Sequence, residues 1–131
     1  MRRGLVLTVL LALWGGTARA QAVDCSHAND QFSMNVCADR DYQIADKTLN
    51  DTYRRLMASV SPAGRSKLQT AQRAWLAWRD AECQFETAGS ADGSIHPYVV
   101  SICRNELTRA QATRLDRQLH CQEGDLSCGR Q

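Results

Sequence analysis

Proline is nearly absent: Pro62 and Pro97 are the only two in 131 residues. Long stretches therefore run without the residue that most reliably ends a helix. No hydrophobic run is long enough to cross a bilayer, which takes about 20 apolar residues in a helix. No segment alternates apolar and polar residues as a half-buried strand would, and there is no internal repeat or low-complexity tract. Charge of one sign is also missing. Sixteen basic residues face fourteen acidic ones, which excludes a polybasic nucleic-acid surface. An apolar content of 44% excludes a disordered chain. Catalytic signatures are absent: no G-x-S-x-G, no H-E-x-x-H and no phosphate-cradling glycine loop. Asp80 and Glu82, two apart on a helix, point to different faces and make no acid–base pair. There is no C-x-x-C, and His27, His96 and His120 have no ligand spacing. No enzyme activity, cofactor or metal is expected.

What is present begins with a leader. Arg2 and Arg3 precede an apolar run from Leu5 to Trp14, broken only by Thr8, and Ala18-Arg19-Ala20 supplies small residues at a cleavage site. Residues 1–20 are expected to be a signal peptide cut after Ala20, followed by one helical domain over 21–131. Removing Arg2, Arg3 and Arg19 turns the formal charge of +2 into −1. The positive excess belongs to the leader. Cys25 follows Asp24 well past the apolar run, so no lipid or membrane anchor is expected in the mature form. The expected location is periplasmic or secreted. All six cysteines (Cys25, Cys37, Cys83, Cys103, Cys121 and Cys128) lie beyond the cut. An even count in a small exported domain points to disulfides before metal.

The periodicity predicts three helices. Asp30 can cap the first, and Met34, Ala38, Tyr42, Ala45, Leu49, Tyr53, Leu56 and Val60 follow at steps of three or four from about Gln31 to Ser59. Ser61-Pro62 ends it and starts a second, to about Thr87, with Leu68, Ala71, Trp75, Trp78 and Phe85 as the inward stripe. Ala88 to Ser94 holds two glycines, two serines and an aspartate and is the clearest loop. Pro97 opens a third helix ending near His120, with Val99, Ile102, Cys103, Leu107, Ala110, Leu115 and Leu119 expected inward. Short connections make this an all-α, small, disulfide-stapled antiparallel three-helix bundle. Its thin core makes covalent staples useful.

Cys121 and Cys128 can close a local loop. Cys83 and Cys103 fall at similar depth on neighbouring antiparallel helices, at about 1.5 Å rise per residue, which favours their pairing and leaves Cys25 for Cys37. The start of the first helix lies at the same end, however. Cys37 could meet Cys83 or Cys103 instead, and three arrangements of these four remain open.

Several segments carry a family likeness. Met34-Asn35-Val36-Cys37-Ala38, then Tyr42, Ala45-Asp46, Leu49-Asn50 and Tyr53, form one block. Ala71-Gln72-Arg73-Ala74-Trp75 and Arg79-Asp80-Ala81-Glu82-Cys83 form a second. Gly93-Ser94-Ile95-His96-Pro97, Cys103, Leu107-Thr108 and Arg114 complete it. In this order they resemble the lysozyme inhibitor LprI N-terminal-domain family over about residues 25–119. The resemblance implies a small exported bacterial helical domain with Cys25–Cys37 and Cys83–Cys103 as bridges, and lysozyme or another muramidase as partner. The chain departs from the family in starting its first helix with Asp30 and Ser33 rather than a Thr…Glu pair. It also lacks the lipidation site of the founding member.

Two groups are candidates for partner contact. Gly89, Gly93, Ser94 and His96 lie on a loop that a Cys83–Cys103 bridge would fix at both bases, and Ser94 or His96 could donate toward the carboxylates of a lysozyme cleft. Arg73 and Arg79 sit in the densest polar-aromatic cluster and could anchor a partner. The competing reading pairs Arg79 or Arg73 with Asp46, puts Trp75 in the core, and makes the loop a plain turn. The alternative function is a structural or interaction module of the cell envelope with no anti-lysozyme activity.

Overall fold

The computed structural model describes residues 22–122 and 124–129, and the expected leader, Met1 to Ala20, lies outside them. A 3₁₀ turn, Cys25–His27, leads into α1 (Gln31–Ser59), α2 (Pro62–Glu86) and α3 (His96–Leu119), and no strand occurs among the described residues. Every predicted helix is present, with ends within one residue of expectation.

Local chemistry explains where the helices start. The Asp30 carboxylate accepts from the Ser33 amide at 3.0 Å and from the Ser33 hydroxyl at 2.6 Å, so one residue satisfies an orphan donor of the first turn. Ser61 does the same for α2, its hydroxyl oxygen accepting from the Gly64 amide at 3.1 Å, and Pro62 follows where its missing N–H costs nothing. The Ser33 hydroxyl, then the Ser33 amide, holds the Asp30 carboxyl below the ordinary aspartate range. A carboxyl depressed in the folded state stabilises above its unfolded pKa and loses that contribution as pH falls through its folded one. Asp30→Asn is therefore expected to flatten the acid limb of melting temperature against pH. The limb is not abolished, because Asp24, Asp51 and Asp125 are lowered as well. An unchanged slope in thermal melts between about pH 5 and pH 2 would show that the cap is not formed in solution.

Helices α1 and α3 share the most extensive interface, and α2 packs more sparingly on α3. The reason is side-chain size. Ala38, Ala45 and Thr52 recur every seventh residue on α1, and Ser101, Thr108 and Ala112 are buried on α3. Small side chains let two helix axes approach closely. The apolar centre gathers Leu49, Leu56, Val60, Ala112 and Leu115, with Tyr53, Leu68, Trp75 and Leu119 packed on its margin.

This packing corrects part of the predicted inward set. Trp78, Phe85 and Ile102 are exposed, as are Ala71 and Ala110. The fully buried positions of α2 are Gln72, Arg79 and Cys83, while Leu68 and Trp75 of the predicted stripe are half-buried against the core. The face turned to a close-packed pair is narrow and partly polar, so the apolar stripe of α2 and its buried stripe do not coincide.

The disulfides are Cys25–Cys37, Cys83–Cys103 and Cys121–Cys128, which resolves the three arrangements left open by spacing. The first ties the lead-in to α1, and the second joins the end of α2 to the start of α3. Near the tail, Gly124 takes a positive φ of 87°, a conformation that suits glycine. No helix among the described residues is long and apolar enough to cross a membrane.

Candidate functional site

The start of α1, the end of α2 and the start of α3 meet at one end of the bundle, where Ala88 to Ile95 links α2 to α3. Two of the three disulfides lie near this end. The link is built of consecutive turns. The amides of Ser90, Gly93 and His96 donate to the carbonyls of Thr87, Ser90 and Gly93 at 3.0, 2.8 and 3.0 Å. Gly93 fits because this chain reversal is tight: a Cβ there would lie 3.3 Å from the Ser90 carbonyl oxygen. Thr87 is buried and anchors the base, its hydroxyl donating to the Cys83 carbonyl at 2.6 Å. Asn35 of α1 donates to the Ser94 carbonyl at 3.5 Å, linking the loop to the first helix.

One bond assigns the state of His96. The Ser90 hydroxyl has a single hydrogen and donates it to the Thr87 carbonyl at 2.8 Å. Its contact with His96 Nδ1, at 2.9 Å, must then run the other way, with Nδ1–H as donor. The neutral ring is left with Nε2 as an acceptor, and Nε2 donates only when the ring is protonated. Ser94 is exposed and its hydroxyl can donate in any state.

The structure brings Gly89, Gly93, Ser94 and His96 together and separates the two arginines from them. Arg73 is exposed on α2, its Nε 3.5 Å from the Gln69 carbonyl, and lies about 20 Å along the helix from the loop. Arg79 is only 5% exposed. Its Nε and Nη2 donate to Asp80 Oδ1 at 3.0 and 2.9 Å, and its Nη1 donates to Thr108 Oγ1 at 3.3 Å and lies 3.8 Å from Asp46 Oδ1. Its guanidinium carbon stands 5.5 Å from the Tyr42 ring centre and 5.3 Å from that of Trp75. One planar cation thus joins all three helices. The pairing with Asp46 and the packing of Trp75 follow the interhelical reading.

Sequence reasoning missed the exposed aromatics. Phe85 is 78% and Trp78 is 48% exposed. A signal was available: a bridging cysteine must face its neighbour, so Cys83 marks the inward line of α2. Arg79 and Gln72 fall on that line four and eleven residues earlier, and Trp78 and Phe85 fall off it.

The sequence model described as "Lysozyme inhibitor LprI" matches residues 23–115. That span includes the first two disulfides and the whole loop and stops before the Cys121–Cys128 tail. An uncharacterized protein of Rhizobium meliloti (strain 1021) is 34% identical over 113 residues, with 76% of this chain and 81% of that protein covered. No solved structure matches the chain significantly.

Proposed function

Because the chain belongs to the lysozyme inhibitor LprI family, we propose that it is an exported binding protein, not an enzyme, that blocks the cleft of lysozyme or another muramidase. The observation that carries this reading is the family match across both staples and the loop between them. Physical chemistry supports the loop as the contact. A segment held by its own turns and closed at its base by Cys83–Cys103 has little freedom left to lose on binding. Its exposed tip offers the Ser94 hydroxyl and backbone groups to a cleft that works through paired carboxylates. Three disulfides suit an oxidising compartment outside the cytosol. At a mature formal charge of −1, electrostatic steering toward a basic enzyme is weak, so affinity rests on local contacts.

The test is a turnover assay on cell-wall substrate with the exported, disulfide-bonded protein, its N-terminus checked by mass spectrometry to begin at Gln21. Inhibition saturating near equimolar protein is expected for at least one class of muramidase. Full turnover at micromolar excess, with both animal-type and bacterial enzymes, would overturn the reading and leave the envelope interaction module in its place.

A further inference from the structure

Helix α2 has a second face. Ala71, Ala74, Trp78, Ala81 and Phe85 are all exposed, and they recur at alternating steps of three and four residues. That spacing is the seam of a helix that packs along another helix. Gly64 and Lys67 extend the same line toward the helix start. Isolated exposed apolar residues need no explanation. Two aromatics and three alanines on one continuous seam form a patch of the kind that marks an interface.

The charges of α2 identify what covers it. Arg65, Lys67 and Arg73 lie in its first half, and Asp80, Glu82 and Glu86 lie in its second. The one cation out of order, Arg79, is buried and bonded within the bundle, and with Arg104 it holds Asp80 there too. The first turn carries no acid and the last turn no base. This order runs against the helix dipole, which favours acids at the N-terminus and bases at the C-terminus. A lone helix gains nothing from it. Beside the seam itself the charges are Lys67 in the first half and Glu82 in the second, so two copies laid antiparallel gain twice, each Lys67 lying near the partner's Glu82.

Side-chain size follows the same division. Lys67 and Ala81 apart, the seam is small in its first half, with Gly64, Ala71 and Ala74, and bulky in its second, with Trp78 and Phe85. About a two-fold axis near Ala74, Trp78 of one copy covers Ala71 and Ala74 of the other, Phe85 reaches toward Gly64, and Lys67 meets Glu82. A parallel pairing would instead set Trp78 on Trp78, Lys67 on Lys67 and Glu82 on Glu82, crowding bulk and like charge together. We propose that α2 pairs antiparallel with α2 of a second copy of this chain through Ala71, Ala74, Trp78, Ala81 and Phe85. The contact is isologous and closes at a dimer. It does not depend on whether the protein inhibits a muramidase.

Sedimentation equilibrium on the disulfide-bonded protein tests it. The expected result is a concentration-dependent rise from monomer to twice the monomer mass. Trp78→Lys is expected to weaken the dimer about a hundredfold, with helical circular dichroism unchanged because Trp78 is not a core residue. Phe85→Lys is the second variant, at a still more exposed position. Lys67→Glu and Glu82→Lys should each weaken association about tenfold, and their combination should restore it. A monomer at every concentration up to hundreds of micromolar overturns the proposal. So does a dimer indifferent to both lysine substitutions, or a double charge swap that associates no better than either single one.

Discussion

Arg79→Met is expected to lower the free energy of unfolding by about 2–4 kcal/mol. Methionine keeps most of the volume and none of the charge. Asp46 then loses its cation at 3.8 Å, and Asp80 loses two donors to one oxygen. Thr108, fully buried on α3, loses the Nη1 donor at 3.3 Å. Breaking a buried pair by removing one partner costs about 3–5 kcal/mol, and the partial exposure of both carboxylates reduces that figure. Asp80 also keeps Arg104, whose Nε stands 3.5 Å from it. Arg79→Lys separates charge from geometry. An ammonium keeps the charge but cannot reach Asp46, Asp80 and Thr108 from one planar fork, nor stack between Tyr42 and Trp75. Its loss should fall between wild type and Arg79→Met. Chemical denaturation with intact disulfides measures both. If Arg79→Met came within about 0.5 kcal/mol of wild type, the guanidinium would not be a structural tie between the helices.

The same residue shows where the sequence was legible and where it was not. Helix ends could be read because they are set by local chemistry: Asp30 before an uninterrupted apolar period, and Ser61-Pro62 at the break. The Cys83–Cys103 bridge could be favoured because depth along antiparallel helices depends only on rise per residue. The inward face of α2 was not legible from apolar period. Leu68 and Trp75 pack on the core as the period expects, but the fully buried positions are Gln72, Arg79 and Cys83, a line that the bridging cysteine marks and the apolar period does not. The apolar period points Trp78 and Phe85 inward because hydrophobic bulk is ordinarily buried. In a bundle whose α1–α3 contact is drawn close by alanine, serine and threonine beside its leucines, Trp78 and Phe85 of α2 remain outside. The loop was legible as a loop from its glycines and serines. Its internal turns, and the bond that sets the His96 tautomer, depend on Thr87 and Ser90 positions that no pattern announces.

Replacing Cys83 and Cys103 together by alanine is expected to lower stability by about 3 kcal/mol through the freed 20-residue ring alone. Some packing loss adds to it, since both sulfurs are buried. The functional effect should be the more informative one. This bridge closes the ring that carries Ala88 to His96. Without it the loop is held by its turns, by the Thr87, Ser90 and His96 side-chain bonds and by the weak Asn35 bond to Ser94, none of them covalent, so part of the entropy saved in folding must be lost on binding instead. Under the proposed function, the inhibition constant is expected to rise about ten- to a hundredfold at a temperature where the variant is still folded. The Cys121–Cys128 pair is the matched control: it lies beyond the family match and away from the loop, and its removal should leave inhibition unchanged. Equal inhibition by the Cys83/Cys103 variant and wild type, with the melt still lowered, would separate the two roles. The bridge would then stabilise the bundle without ordering a contact surface, and the partner would have to bind elsewhere than the loop.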